Sequence, residues 1–298
     1  MRNRLFSLLL LVCLLALPAA HAEAPVLQVT ASFYPMYCLA LNLVRDVPGV
    51  AVSCLAPTSV GCVHDYQLTT DDRRLLDRTD LLILNGAGME PFLDNLLPQL
   101  SAVVVDTSAG LPLLPVEGAA VRGADPVYNE HVWVSLPLVI RQVDAMAQAL
   151  SEIDPEHAGQ YEANRAAYTQ TIQALYERMR EALAPYAGTP IVTFHAAFDY
   201  FASDFDLNIV AVLRREPGSA PSGRDIAGVV DIVRRRNVHG LFVEPQYPRD
   251  AADVVARETG LVPYVLDPVA TPAEGVADID AYVHAMERNL ATLLEALP

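Results

Sequence analysis

Short apolar runs alternate with stretches of helical spacing along most of this chain. In the first half the runs are Leu27–Thr30, Val50–Leu55, Leu81–Leu84 and Ala102–Val105; in the second they are Ile191–Phe194, Asn208–Leu213, Gly240–Val243 and Tyr264–Leu266. Between them, segments such as Tyr37–Val44, Ala227–Arg236 and Ala251–Thr259 space their apolar residues three and four apart, the period of a helix with one buried face. Strands that read as continuous apolar runs and alternate with helices belong to parallel sheets covered on both faces. The pattern therefore predicts an α/β protein with two sets of four strands.

The middle of the chain breaks the rhythm. From Leu136 to Ala184 there is little strand signal, and residues 156–184 read as one long helix opened by Asp154-Pro155-Glu156, residue types suited to a helix start. Residues 108–129, rich in Gly, Pro and Ala, read as a loop leading into it. The expected organisation is a first α/β lobe over 23–135, a helical region with the long connector over 136–185, and a second α/β lobe over 186–298. A mature length of about 276 residues suits two lobes.

Residues 1–22 stand apart. Arg2 and Arg4 precede an apolar stretch from Leu5 to Leu17, and small residues at Ala20 and Ala22 follow. This is the pattern of a secretory signal peptide, with cleavage expected after Ala22. A stretch of about thirteen residues is too short to span a bilayer. Cys13 lies inside that stretch, after Leu10-Leu11-Val12, so there is no lipobox, and the expected product is a periplasmic protein without a lipid anchor.

Composition then narrows the function. All 20 basic residues are arginines, against 36 Asp and Glu; removing residues 1–22 takes two arginines and no acids, leaving a formal charge of -18. So acidic a surface argues against a nucleic-acid partner and favours the approach of cations. Three cysteines remain, Cys38, Cys54 and Cys62. In an oxidising compartment, Cys54 and Cys62 are spaced to pair across a short loop, with Cys38 buried.

The candidate chemistry is histidine. His64 lies in Gly61-Cys-Val-His-Asp-Tyr66, His131 in Asn129-Glu-His-Val-Trp133, and His195 ends the run Ile191-Val-Thr-Phe-His195; Asp267 follows another run in Val265-Leu-Asp-Pro268. Open α/β sheets bind ligands at the carboxyl ends of their strands, where His195 and Asp267 fall. Three neutral imidazoles and a carboxylate form a donor set suited to tetrahedral zinc. His157, His239 and His284 have no supporting motif.

Taken together, Ala31-Ser-Phe-Tyr-Pro35, Val63-His-Asp-Tyr66, Asn85-Gly-Ala-Gly-Met-Glu-Pro-Phe92, Asn129–Trp133, Thr193–Phe201, Phe242-Val-Glu-Pro-Gln246 and Val265–Pro268 occur in an order that resembles the zinc/manganese-specific substrate-binding proteins of ABC transporters. The resemblance covers essentially the whole mature chain. It implies two α/β lobes with mostly parallel sheets, a long rigid helix between them, and a metal site in the interdomain cleft built from His64, His131, His195 and Asp267. It implies zinc as transported ligand, since the third position is a histidine where manganese-type relatives carry glutamate; manganese or iron is the alternative cargo. It also implies a monomer that serves a permease and its ATPase in the inner membrane, without catalysis.

Two departures stand out. The resembled proteins carry proline just before the first metal histidine, where Cys62-Val63 stand here, and many have a histidine-rich loop where residues 108–129 have no histidine. Cys62 reads either as the disulfide partner of Cys54, the favoured reading, or as a soft ligand near the metal. Glu130 and Glu244 are candidates to hold the second N–H of a metal-bound histidine. The competing functions are a secreted zinc hydrolase, with three histidines on the metal and Asp267 as general base, and an adhesin.

Overall fold

The computed structural model describes residues 27–116, 126–213 and 221–298; the expected signal peptide lies outside them. Two four-stranded parallel sheets are present. The first comprises β1 (Leu27–Ala31), β2 (Val50–Cys54), β3 (Leu81–Leu84) and β4 (Val103–Asp106), in the order β2-β1-β3-β4. The second comprises β5 (Pro190–Thr193), β6 (Asn208–Val212), β7 (Gly240–Val243) and β8 (Pro263–Val265), in the order β6-β5-β7-β8. All pairings within the two sheets are parallel. The inner strands β3 and β7 are buried at every position, which is why they read as unbroken apolar runs. The edge strand β4 leaves Val103 and Val104 exposed.

Around the first sheet lie α1 (Tyr34–Leu43) and α2 (Thr70–Leu76); around the second lie α5 (Asp199–Asp204), α6 (Gly223–Arg236), α7 (Asp250–Thr259) and α8 (Ala281–Ala296). Their ends follow local chemistry. Thr69 with Asp72 and Ser222 with Asp225 form reciprocal capping boxes, and Gly260 ends α7 in the left-handed conformation. Among the described residues no helix is long and apolar enough to cross a membrane.

Between the sheets run α3 (Leu136–Ile153) and α4 (Ala158–Leu183). At 26 residues α4 is about 39 Å long. It buries Tyr161, Tyr168, Ile172, Leu175, Met179 and Leu183 along one stripe and leaves the rest in water. That stripe packs on α3, α1 and α8, so one helix touches layers belonging to both sheets. A single large core, with Trp133, Leu136, Ile172, Phe201 and Tyr282, runs through the junction. Hydrogen bonds cross it as well: Trp133 Nε1 donates to Pro268 O at 2.6 Å, Tyr282 OH to Trp133 O at 3.0 Å, and Asn42 Nδ2 to Ile279 O at 2.7 Å. Buried contacts of this kind tie the two lobes together across the junction.

Candidate metal centre

The loop between β2 and α2 brings two side chains to the junction. Val63 is completely buried in the core. Tyr66 donates to Asp72 Oδ2 at 2.8 Å, the carboxylate that also caps α2. Pinned at both points, the loop presents Cys62 and His64, which flank Val63, to one spot. Gly61 enters the turn at φ +78°, and a Cβ on it would stand 3.3 Å from Gln246 Cγ, on the far lobe. The positive φ favours glycine there, and the close approach adds to the preference.

His131 is positioned by Asn129. The Asn129 Oδ1 accepts from both the backbone N–H and the Nδ1–H of His131, each at 2.9 Å. The same side chain donates through Nδ2 to Ala196 O at 2.8 Å and Asp199 Oδ2 at 2.9 Å, bracketing the turn just after His195. Trp133 backs the His131 ring at 5.1 Å and meets Phe33 edge-on at 5.0 Å. His195 leaves β5 in extended conformation, and its Nδ1–H donates to Glu244 Oε1 in a short hydrogen bond. Glu244 follows β7, is buried, and accepts from Gln246 Nε2 on its other oxygen at 2.7 Å. His64 repeats the arrangement, with Nδ1 3.0 Å from Glu130 Oε1.

Each of the three imidazoles therefore uses Nδ1 toward a fixed oxygen, which assigns the proton to Nδ1 and the lone pair to Nε2 in the neutral ring. Burial, helped by the neighbouring His195 and His64, holds His131 well below the ordinary histidine range and so neutral. Burial likewise pushes Glu130 up. His131 Nε2 and His195 Nε2 lie 3.1 Å apart. Two lone pairs at that distance repel unless a cation lies between them. Cys62 Sγ is 3.9 Å from both Nε2 atoms, and one donor atom from each of Cys62, His64, His131 and His195 lies within 4.8 Å of all the others.

Tetrahedral zinc offers a metric test. Zn–N bonds of about 2.0–2.1 Å and Zn–S bonds of about 2.3 Å require N···N separations of about 3.3 Å and N···S separations of about 3.6 Å. The observed separations of 3.1 Å and 3.9 Å fall within a few tenths of an ångström of these values. The donors and their Nδ1 partners together form the pattern of a metal centre whose outer oxygens orient its histidines.

The structure brings together His64, His131 and His195 of the four residues expected from the sequence, and places Asp267 differently. Asp267 is outside the group above. Its Oδ1 accepts from Val269 N at 2.8 Å and its Oδ2 from Arg288 Nη2 at 3.0 Å, while Asn289 brackets its backbone on both sides. Burial raises its carboxyl above the usual range, and the Arg288 guanidinium pulls the other way. The favoured disulfide between Cys54 and Cys62 is corrected: the described cysteines carry thiols. Cys54 Sγ turns back to donate to Ala56 O at 3.1 Å, whereas Cys62 faces the imidazoles. Asn129, which holds His131, and Gln246, which donates to Glu244, had no assigned role in the sequence expectation. An asparagine two positions before a histidine is a local turn signal.

Residues 29–296 match the family described as zinc-uptake complex component A, periplasmic. The high-affinity zinc uptake system protein ZnuA of Bacillus subtilis (strain 168) is 27% identical over 292 residues, covering 94% of this chain and 90% of that protein. The zinc-binding lipoprotein AdcA of Streptococcus pneumoniae (TIGR4) is 27% identical over 278 residues, 90% of this chain but 55% of AdcA, so the chain spans about half the length of that relative. Among solved structures, FpvC from Pseudomonas aeruginosa in complex with Mn2+ matches at 29% identity and a TM-score of 0.80, covering 91% of this chain and 98% of that one. A crystal structure of ZnuA matches at 26% identity and a TM-score of 0.79, covering 91% and 99%.

Proposed function

The chain belongs to the periplasmic zinc-uptake complex component A family, and from that premise we propose that it is the extracytoplasmic solute-binding component of an ABC transporter. It captures one divalent metal ion, zinc, as cargo and hands it to a membrane permease driven by a partner ATPase. The observation that carries this reading is the convergence of three Nε2 lone pairs, each set by an oxygen at Nδ1, in a buried junction between the lobes. Imidazole donors suit zinc better than manganese, which prefers carboxylate and water.

The protein binds without turnover. Its transporter reads a small displacement of the lobes, because the core and hydrogen bonds that cross the junction leave little freedom for closure. The chain is exported, with cleavage after Ala22, and acts as a periplasmic monomer. Labelling with radioactive palmitate and mass spectrometry of the processed N-terminus test this point, since the relative AdcA is named a lipoprotein.

The test of function is competitive titration of the demetallated mature protein with Zn2+ and Mn2+ by calorimetry. One tight equivalent of zinc, lost in His131→Ala and His195→Ala, is the expected result. Tighter manganese binding overturns the cargo while keeping the transport role. Absence of tight binding by either ion overturns both.

A further inference from the structure

We propose that Cys62 supplies the fourth donor to the metal, making the centre three nitrogens and one thiolate sulfur, and that Asp267 is a structural clamp rather than a ligand. The proposal rests on the metal-capture reading above and adds to it the identity of the fourth ligand.

Three observations carry it. Cys62 Sγ is equidistant, at 3.9 Å, from the Nε2 atoms of His131 and His195, near the separation that a shared tetrahedral zinc requires. The loop is built to keep it there: Gly61 turns against Gln246, and Val63 is completely buried between Cys62 and His64. Asp267, by contrast, has both carboxylate oxygens engaged, by Val269 N and by Arg288, and its main chain is held by Asn289. It lies outside the group of donors that converges on the imidazoles, and moving it there would strain its charge-assisted hydrogen bond to Arg288.

The chemistry has a consequence for selectivity. As the metal–sulfur bond forms, the thiol proton passes to solvent, and the thiolate adds a negative, soft donor to three neutral imidazoles. Soft sulfur favours zinc and disfavours manganese, whereas a carboxylate in the same place tolerates both. Cys62 is thus a specificity-determining ligand.

Cobalt(II), loaded into the demetallated mature protein as a spectroscopic stand-in for zinc, separates the alternatives. The wild type is expected to show both the visible bands of tetrahedral cobalt and the intense near-ultraviolet sulfur-to-cobalt charge-transfer band. Cys62→Ser should keep the visible bands and lose the charge-transfer band. It should also bind zinc at least tenfold more weakly, with a smaller preference for zinc over manganese. Asp267→Asn should keep the charge-transfer band and one equivalent of metal. Bound tetrahedral cobalt without a charge-transfer band in the wild type overturns the cysteine ligand and leaves the metal-capture reading intact. So does a spectrum that changes in Asp267→Asn but not in Cys62→Ser. Failure of the wild type to bind cobalt or zinc at all overturns the underlying reading itself.

Discussion

The two sheets share one strand order and direction, yet the residues at their carboxyl ends do different work. Beyond β5 and β7 of the second sheet stand His195 and Glu244, a proposed metal donor and the carboxylate that orients it. Beyond β1, β3 and β4 of the first sheet stand Ser32, Asn85 and Thr107, joined in a buried network around Glu90 that holds no histidine. Glu90 accepts from Ser32 Oγ at 2.7 Å, Asn85 N at 2.8 Å and Gly86 N at 3.1 Å. The first lobe supplies its donors from loops instead, at Cys62, His64 and His131. One scaffold thus uses its strand ends for chemistry in one copy and for rigidity in the other. Two buried glutamates, Glu244 and Glu90, mark the difference.

Removing a donor tests the chemical side most severely. His131→Ala or His195→Ala should lower zinc affinity by more than about 100-fold, beyond the roughly 10–100-fold cost of losing an orienting partner. Competitive titration against a chelator measures this. Glu244→Gln falls within that range: about tenfold weaker zinc, with one equivalent still bound, because Nδ1 of His195 keeps an acceptor but loses its charge. An unchanged affinity would mean that the carboxylate serves packing alone, and the contrast between the lobes would collapse.

Glu90→Gln should show the opposite profile. Zinc stoichiometry and affinity should hold, while an amide nitrogen facing the Gly86 N–H leaves a buried donor unsatisfied, at a cost of about 1–3 kcal/mol. Chemical denaturation of the demetallated protein reads that loss. If zinc affinity falls with it, the first-lobe network feeds into the metal centre through Asn85, whose Nδ2 donates to Glu130 O at 2.9 Å.

Much of this was legible in the sequence, for a physical reason. Strands buried on both faces leave apolar runs, so β3 and β7 have the residue limits the pattern predicts. The edges drifted where caps intervene: α1 starts at Tyr34 rather than Tyr37 because Pro35 suits a first turn. That the three histidines come together was to be expected from the order of the motifs that carry them. The surroundings of Asp267 were not, because they depend on Arg288 and Asn289, which α8 delivers from 21 and 22 residues away. Nor was the separation of Cys54 from Cys62, since short spacing permits a bridge but does not set the direction in which either thiol points.

The gentlest test is a pH slope. Burial, the largest influence, pushes Glu90 up to about 7, against the pull of Ser32 and the two backbone donors. An acid whose folded-state pKa lies above its unfolded value favours the folded state most when protonated. Its contribution is therefore full below about 4.5 and is lost as pH rises toward about 7, at about 1 kcal/mol for each unit. The informative quantity is the difference between demetallated wild type and Glu90→Gln, in which the contributions of all other groups cancel. That difference should move against the wild type between these two pH values and stay level above them. A difference that moves in favour of the wild type would mean that the three donors outweigh burial, and that Glu90 sits folded as a stable anion. The first lobe would then hold a preformed negative charge behind the metal centre, and the division between a chemical lobe and a rigid one would need redrawing.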